Sequence, residues 1–211
     1  MGSIPARAPW GTLLLTIVGE FAVCAVLERG VPGYDPRLQA MSALGAGDSP
    51  VRLWCRAWLV WLGPAFAVGA LLVHGEVLRA SSSPPLAAAS AACLVAFGIG
   101  AGVVAGAFPG SGAGRLPAIL HGVGSALDFM ALVAVSLLFV LAFRAQEPAL
   151  SSLSLACFVA SAAFFVLFVM ADKPAFAGTW VSWGGWWERA CLACAYLPVA
   201  ALSAARTLGP E

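Results

Sequence analysis

Two carboxylates stand inside long apolar runs of this sequence: Glu20 in "LLLTIVGEFAVCAVL" and Asp128 in "AILHGVGSALDFMALVAVSLLF". An ionised carboxylate in hydrocarbon costs at least ~2.5–3.5 kcal/mol on insertion scales, so each side chain must face protein or water. His121, Ser125 and Asp128 fall at i, i+4 and i+7, one stripe of a helix, and Glu20, Cys24 and Glu28 form a similar stripe. Each acid lies about two helical turns from the same end of the helix bundle, so both can line one cavity. Buried acids beside a histidine suit general acid–base or cation-binding chemistry. Asp128, Glu20 and His121 are therefore the catalytic candidates. Arg56, Arg115, Asp35 and Ser125 are candidates for substrate contact. A purely structural account stands beside this one: a neutral Asp128 bonded across helices, and Glu20 paired with Arg56 as an internal strut.

The elements that must position these groups are membrane helices. Of the 211 residues, 61% are hydrophobic and 10% charged, outside the range of soluble domains. Six segments are long enough to cross ~30 Å of hydrocarbon: 10–27, 57–73, 86–108, 118–143, 149–171 and 190–208. Irregular backbone facing lipid would leave its amides unsatisfied, so the expected fold is all-α, a polytopic single bundle of six transmembrane helices over residues 1–211. No room is left for a soluble domain, and a net charge of +1 argues against nucleic acid. The first run is broken by Glu20 and followed by no small-residue cleavage site, so it is expected to stay as a span. The six cysteines are scattered, and "CLAC" at Cys191–Cys194 has no second pair. Neither metal nor cofactor is expected.

Six spans place both termini on one face, the near side. The far side carries seven of eight tryptophans and three distinctive connectors. These are "ERGVPGYDPRLQAMSALGAGDSP" (28–50), "FPGSGAGRLP" (108–117) and "DKPAFAGTWVSWGGWWER" (172–189). In the first, Pro32–Gly33 suits a type II turn and Asp35–Pro36 begins another. Residues 36–47 read as a short amphipathic helix lying in the interface over the bundle. Gly110–Arg115 offers backbone amides to a phosphate ahead of a helix N-terminus. Tryptophans gather at headgroup level, and their density on one side suggests a cap around an apolar tail. Gly98, Gly102 and Gly106 repeat every fourth residue, a face for close helix approach, serving either a homodimer or, more simply, packing within the chain. Lys and Arg number seven on the far side and four on the near side, which alone would place the far side in the cytoplasm.

"PGYDPRLQAMSALGA", "FPG", His121 at the start of span four and "GWWERACLACAYLPVAALSAARTL" occur in the order of a known pattern. Together they resemble the bacterial integral-membrane family called domain of unknown function 998. That family is remotely similar to the FRAG/DRAM/Sfk six-span group associated with lipid biology. The resemblance implies a six-span fold in the bacterial cytoplasmic membrane and a long motif-bearing first loop that suits an outward-facing surface, against the charge count. It points to Tyr34, Asp35, Ser42, Gly45, Phe108, Pro109, His121 and Arg189, adding Tyr34 and Arg189 to the substrate-binding candidates. Ala43 departs from the pattern, which often has an acid there.

These readings converge on a polar pocket lined by acids, lidded by the first loop and open to one membrane face. The favoured function is an acid–base enzyme acting on a lipid or isoprenoid. One version is an isoprenoid cyclase in which protonated Asp128 starts the reaction and aromatic faces steady the cation. A non-catalytic lipid-binding or accessory protein is the alternative. A small proton-coupled transporter is a third, although no inverted repeat is visible and Pro64 reads as a lone kink.

Overall fold

The computed structural model describes residues 7–108 and 114–209. It contains six long helices: α1 (Arg7–Leu27), α2 (Arg52–Ser81), α3 (Pro84–Ala107), α4 (Arg115–Phe143), α5 (Pro148–Ala171) and α6 (Gly184–Leu208). All six are long and apolar enough to cross a membrane, and no strand occurs among the described residues. Each helix packs on its neighbours in the chain and α6 closes back on α1, making a ring. The outward surface carries bare apolar side chains such as Leu15, Leu71, Leu127 and Val159, which lipid tails solvate as readily as they solvate one another.

Helix ends explain themselves locally. Pro84 and Pro148 open α3 and α5, where a missing N–H costs nothing and a fixed φ is pre-set for the helix. Ser82, at φ 52°, ends α2 in the left-handed conformation, its N–H donating to the Leu78 carbonyl. The helices run beyond the apolar segments. Span two extends to 52–81 rather than 57–73, and span six begins at 184 rather than 190, because helical hydrogen bonds continue through the polar interface. Pro64 is not alone, since Pro198 also lies inside a helix, α6.

Two features bring the helices together around the site. The glycine repeat of α3 faces α2: a Cβ on Gly102 would lie 2.7 Å from Gly63 N and 2.9 Å from the Leu59 carbonyl oxygen. The repeat is therefore used for close packing within the chain. Residues Gly98–Val104 wind as π-helix, with the Ala105 N–H donating to the Gly100 carbonyl. Such bulges shift register by one residue and often lie at functional sites. Below them Phe66, Phe97 and Tyr196 meet ring to ring in the bundle centre, their centroids 4.8–5.7 Å apart. On the near side Arg7 donates to the Gly209 carbonyl at 2.9 Å. There too buried Glu76 meets Arg79 at 2.5 Å and Arg206 at 3.1 Å, and Arg206 also meets Glu147.

The 36–47 segment is not an interfacial amphipathic helix. It is a run of turns followed by one 3-10 turn, Met41–Gly45, with Met41 and Leu44 buried in the protein core. The prolines and glycines leave too few consecutive residues for a helix, and the apolar side chains find protein beneath them. Pro109 and residues 110–113, where a phosphate cradle was expected, lie outside the described residues.

Candidate functional site

The far half of the ring encloses an inner cavity of about 50 Å³. Three carboxylates line it, each from a different helix: Glu20 of α1, Asp128 of α4 and Glu188 of α6. They are 6%, 2% and 5% exposed, and each lies within electrostatic reach of the others. The room suffices for about three to five water-sized positions. Its remaining walls are apolar or weakly polar, with Trp58, Phe97, Ser125 and Phe129 among them.

The carboxylates are held differently. Tyr196, in the aromatic cluster below, donates its hydroxyl to Glu20 Oε2. The Met41 N–H donates to Glu188 Oε2 at 2.5 Å, so the first loop is bonded directly to the chamber. Asp128 Oδ1 is buried without a hydrogen-bond partner in the protein, as is Nε1 of Trp58, another lining residue of the chamber. Asp128 is backed by the π-helical turn: a Cβ on Gly100 would lie 2.6 Å from Asp128 Cβ. Only glycine at that position lets α3 approach α4 this closely.

A second, larger cavity of about 510 Å³ adjoins the first and shares Ser42, Ser125, Phe129 and Glu188 with it. It lies between α4 and α5 beneath the Ser42–Ala46 segment, with Phe165, Phe168 and Val169 on one wall and His121, Asp172 and Lys173 at its rim. His121 Nδ1 is 2.9 Å from the Phe108 carbonyl, which can only accept, so this nitrogen carries a hydrogen. Its Nε2 is 3.3 Å from Ser42 Oγ. His121 thus ties the end of α3 and the first loop to the start of α4.

The first loop is sewn onto α6. Arg189 donates to the Pro36, Gln39 and Gly185 carbonyls and to the Tyr34 hydroxyl, all at 2.9–3.1 Å, and meets Glu28 at 3.4 Å. Tyr34 in turn donates to the Gln39 or Ala40 carbonyl. Burial pushes the Tyr34 phenol up to about 12 against the opposing pull of Arg189. The Trp186 N–H donates to the Arg37 carbonyl at 3.0 Å. A Cβ on Gly185 would lie 2.6 Å from the Pro36 carbonyl oxygen, so a glycine there admits the loop backbone.

The structure thus brings Glu20, Asp128 and Ser125 together at the inner cavity and places His121 at the outer one. Five other candidates, Arg56, Asp35, Arg115, Tyr34 and Arg189, line neither cavity. Arg56 is no partner of Glu20; its Nε donates to the Gly45 carbonyl at 3.1 Å, because the loop's carbonyls lie nearer than the chamber. Asp35 sits outside in an exposed ion pair with Arg37 at 2.9 Å, whose hydrogen bonds hold the carboxyl below the usual carboxylate range. Arg115 is exposed at the start of α4. Tyr34 and Arg189 are engaged as the latch of the loop. The tryptophans divide: Trp58 lines the chamber, Trp187 stacks on Phe164, and Trp54, Trp61, Trp180, Trp183 and Trp186 remain exposed.

Glu188 and Tyr196 are not legible as site residues in the sequence. Glu188 precedes the apolar run of its helix and adjoins an arginine, as a surface residue would. Its signal is the helical spacing Glu188, Cys191, Ala195, Val199 and Leu202, all buried on one face. No group of three or more His, Cys, Asp or Glu side chains among the described residues could hold a metal ion.

Neither the curated proteins nor the solved structures give a match to this chain. A family model described as "Protein of unknown function (DUF998)" matches residues 11–205, nearly the whole length, in keeping with the ordered motifs and the six-helix ring. The chain is a multi-pass membrane protein belonging to the DUF998 family.

Proposed function

We propose that this protein is a membrane enzyme, in the bacterial cytoplasmic membrane, that carries out acid–base chemistry on the polar end of a lipid or isoprenoid. The observation that carries this reading is Asp128 Oδ1. It is a buried carboxylate oxygen without a partner in the protein, on a residue that lines a cavity adjoining a larger one between two membrane helices. A polar group left unsatisfied in a low-dielectric site costs about 1–3 kcal/mol or more, and a structure keeps such a group where a ligand completes it. Asp128 exchanges a proton with the substrate. Glu20, oriented by Tyr196, and Glu188, oriented by the Met41 N–H, set the charge around it. His121 holds the rim.

The test compares lipid extracts of cells expressing wild type and Asp128→Asn, by mass spectrometry. The expected result is a defined lipid product present with wild type and absent with the variant, at equal protein abundance. Identical lipid profiles would remove the catalytic assignment. A non-catalytic lipid-binding role is the second reading. It is favoured by the fixed hydrogen bonds of Glu20 and Glu188, which suit a rigid receptor.

A further inference from the structure

We infer that the inner cavity is the seat of a primary ammonium group, and that the ligand is an aminophospholipid of the ethanolamine type. This rests on the reading of the two cavities as the site of a membrane amphiphile, and it does not require catalysis.

Charge decides the sign of the group. Three carboxylates from three helices converge on the inner cavity, and no arginine or lysine is among its lining residues. Arg56 is turned to the Gly45 carbonyl, and Arg189, the nearest cation to Glu188, is held by Tyr34, Glu28 and loop carbonyls. An anionic headgroup placed here would meet only like charge. A cation would be surrounded by acids, one of which, Asp128, has an oxygen, Oδ1, without a hydrogen-bond partner in the protein.

Hydrogen-bonding capacity decides its kind. A primary ammonium carries three N–H donors and can satisfy Asp128; a trimethylammonium carries none and would leave it unsatisfied. The outer cavity, about 510 Å³, takes the remainder of the lipid. Lys173 and His121 stand at its rim, with Asp172 beside Lys173. A phosphodiester in the outer cavity would find its cation in Lys173. The apolar wall of Phe165, Phe168 and Val169 then leads the acyl chains out between α4 and α5.

The experiment uses the full chain in mild detergent, with binding followed by native mass spectrometry and thermal shift. The probes are short-chain phosphatidylethanolamine, phosphatidylcholine and phosphatidylglycerol, and free ethanolamine. Phosphatidylethanolamine is expected to bind about tenfold or more tightly than either other lipid, the weight of one charge-assisted hydrogen bond. Asp128→Asn should abolish that preference. Lys173→Glu, on the surface and remote from the core, should weaken phosphatidylethanolamine and phosphatidylcholine alike, severalfold; where Asp128→Asn does not fold, the preference of the wild type for phosphatidylethanolamine decides the matter. Equal binding of all three lipids, or a preference that survives Asp128→Asn, would overturn the inference. Free ethanolamine binding as well as its lipid would overturn the lipid assignment. Selective binding without any product difference in the lipid extracts would leave this inference standing and sink the enzymatic one.

Discussion

Replacement of Gly102 by alanine tests the geometry on which the site stands. The new Cβ would lie 2.7 Å from Gly63 N, 2.8 Å from Gly63 Cα and 2.9 Å from the Leu59 carbonyl oxygen, all backbone atoms of α2. No side-chain rotation relieves such contacts, so α2 and α3 must separate. Overpacking of this kind costs about 1–3 kcal/mol, and immovable backbone puts Gly102 at the upper end. The better helix propensity of alanine returns about 1 kcal/mol. The net loss of about 2 kcal/mol corresponds to a fall in melting temperature of roughly 4–8 °C for a chain of this size. Gly75, whose Cβ would meet nothing within 4 Å, supplies the opposite sign: Gly75→Ala should raise the melting temperature by a few degrees. Gly106, with its nearest contact at 3.5 Å, should fall between them. Intrinsic tryptophan fluorescence during heating of the detergent-solubilised protein measures all three. Equal effects at Gly102 and Gly106 would refute the close α2–α3 contact. An oligomer that dissociates in Gly102→Ala while its protomers keep their stability would assign the repeat to a dimer instead.

Two further outcomes are expected at the site and its loop. Tyr196→Phe removes the hydroxyl that donates to Glu20 and should cost about 1–3 kcal/mol; combined with Glu20→Gln it should cost less than the sum of the single changes, and strict additivity in thermal melts would deny the pair. Tyr34 has its folded value raised to about 12 from 10, so its contribution is fully present below pH 10 and is lost as pH rises from 10 to 12. Wild type should therefore loosen its loop in that window, seen as increased proteolysis at Arg37, while Tyr34→Phe should show no such step.

The sequence carries the six-helix fold because hydrocarbon imposes a length and a composition that apolar runs display directly. It carries Glu20 and Asp128 for the same reason, since an acid within such a run stands out against its neighbours. Glu188 does not stand out: the run of α6 begins after it, yet the helix begins before it, and the ring buries its first turn beneath the first loop. The bond from Arg56 to the Gly45 carbonyl is not legible either, because depth along a span says nothing about which acceptor lies nearest in space. The loop's turns are legible from Pro32–Gly33 and Asp35–Pro36, but the burial of Met41 and Leu44 is not. An apolar residue in a polar loop reads alike whether it faces headgroups or protein.

That burial explains why a connector between two membrane helices is so long and so polar. A short link would close the bundle end but could not place a backbone N–H on Glu188. Met41 is carried there because Met41 and Leu44 enter the core, while Arg189 gathers the Pro36 and Gln39 carbonyls that the turns leave unpaired. The polar residues of the loop thus satisfy one another and α6, and its apolar residues roof the chamber. Among the described residues, the larger opening beside that roof lies between α4 and α5, along Phe165 and Phe168. The proposed chemistry at the polar end of a lipid would use this arrangement: three carboxylates beneath the loop, beside the larger cavity between two helices.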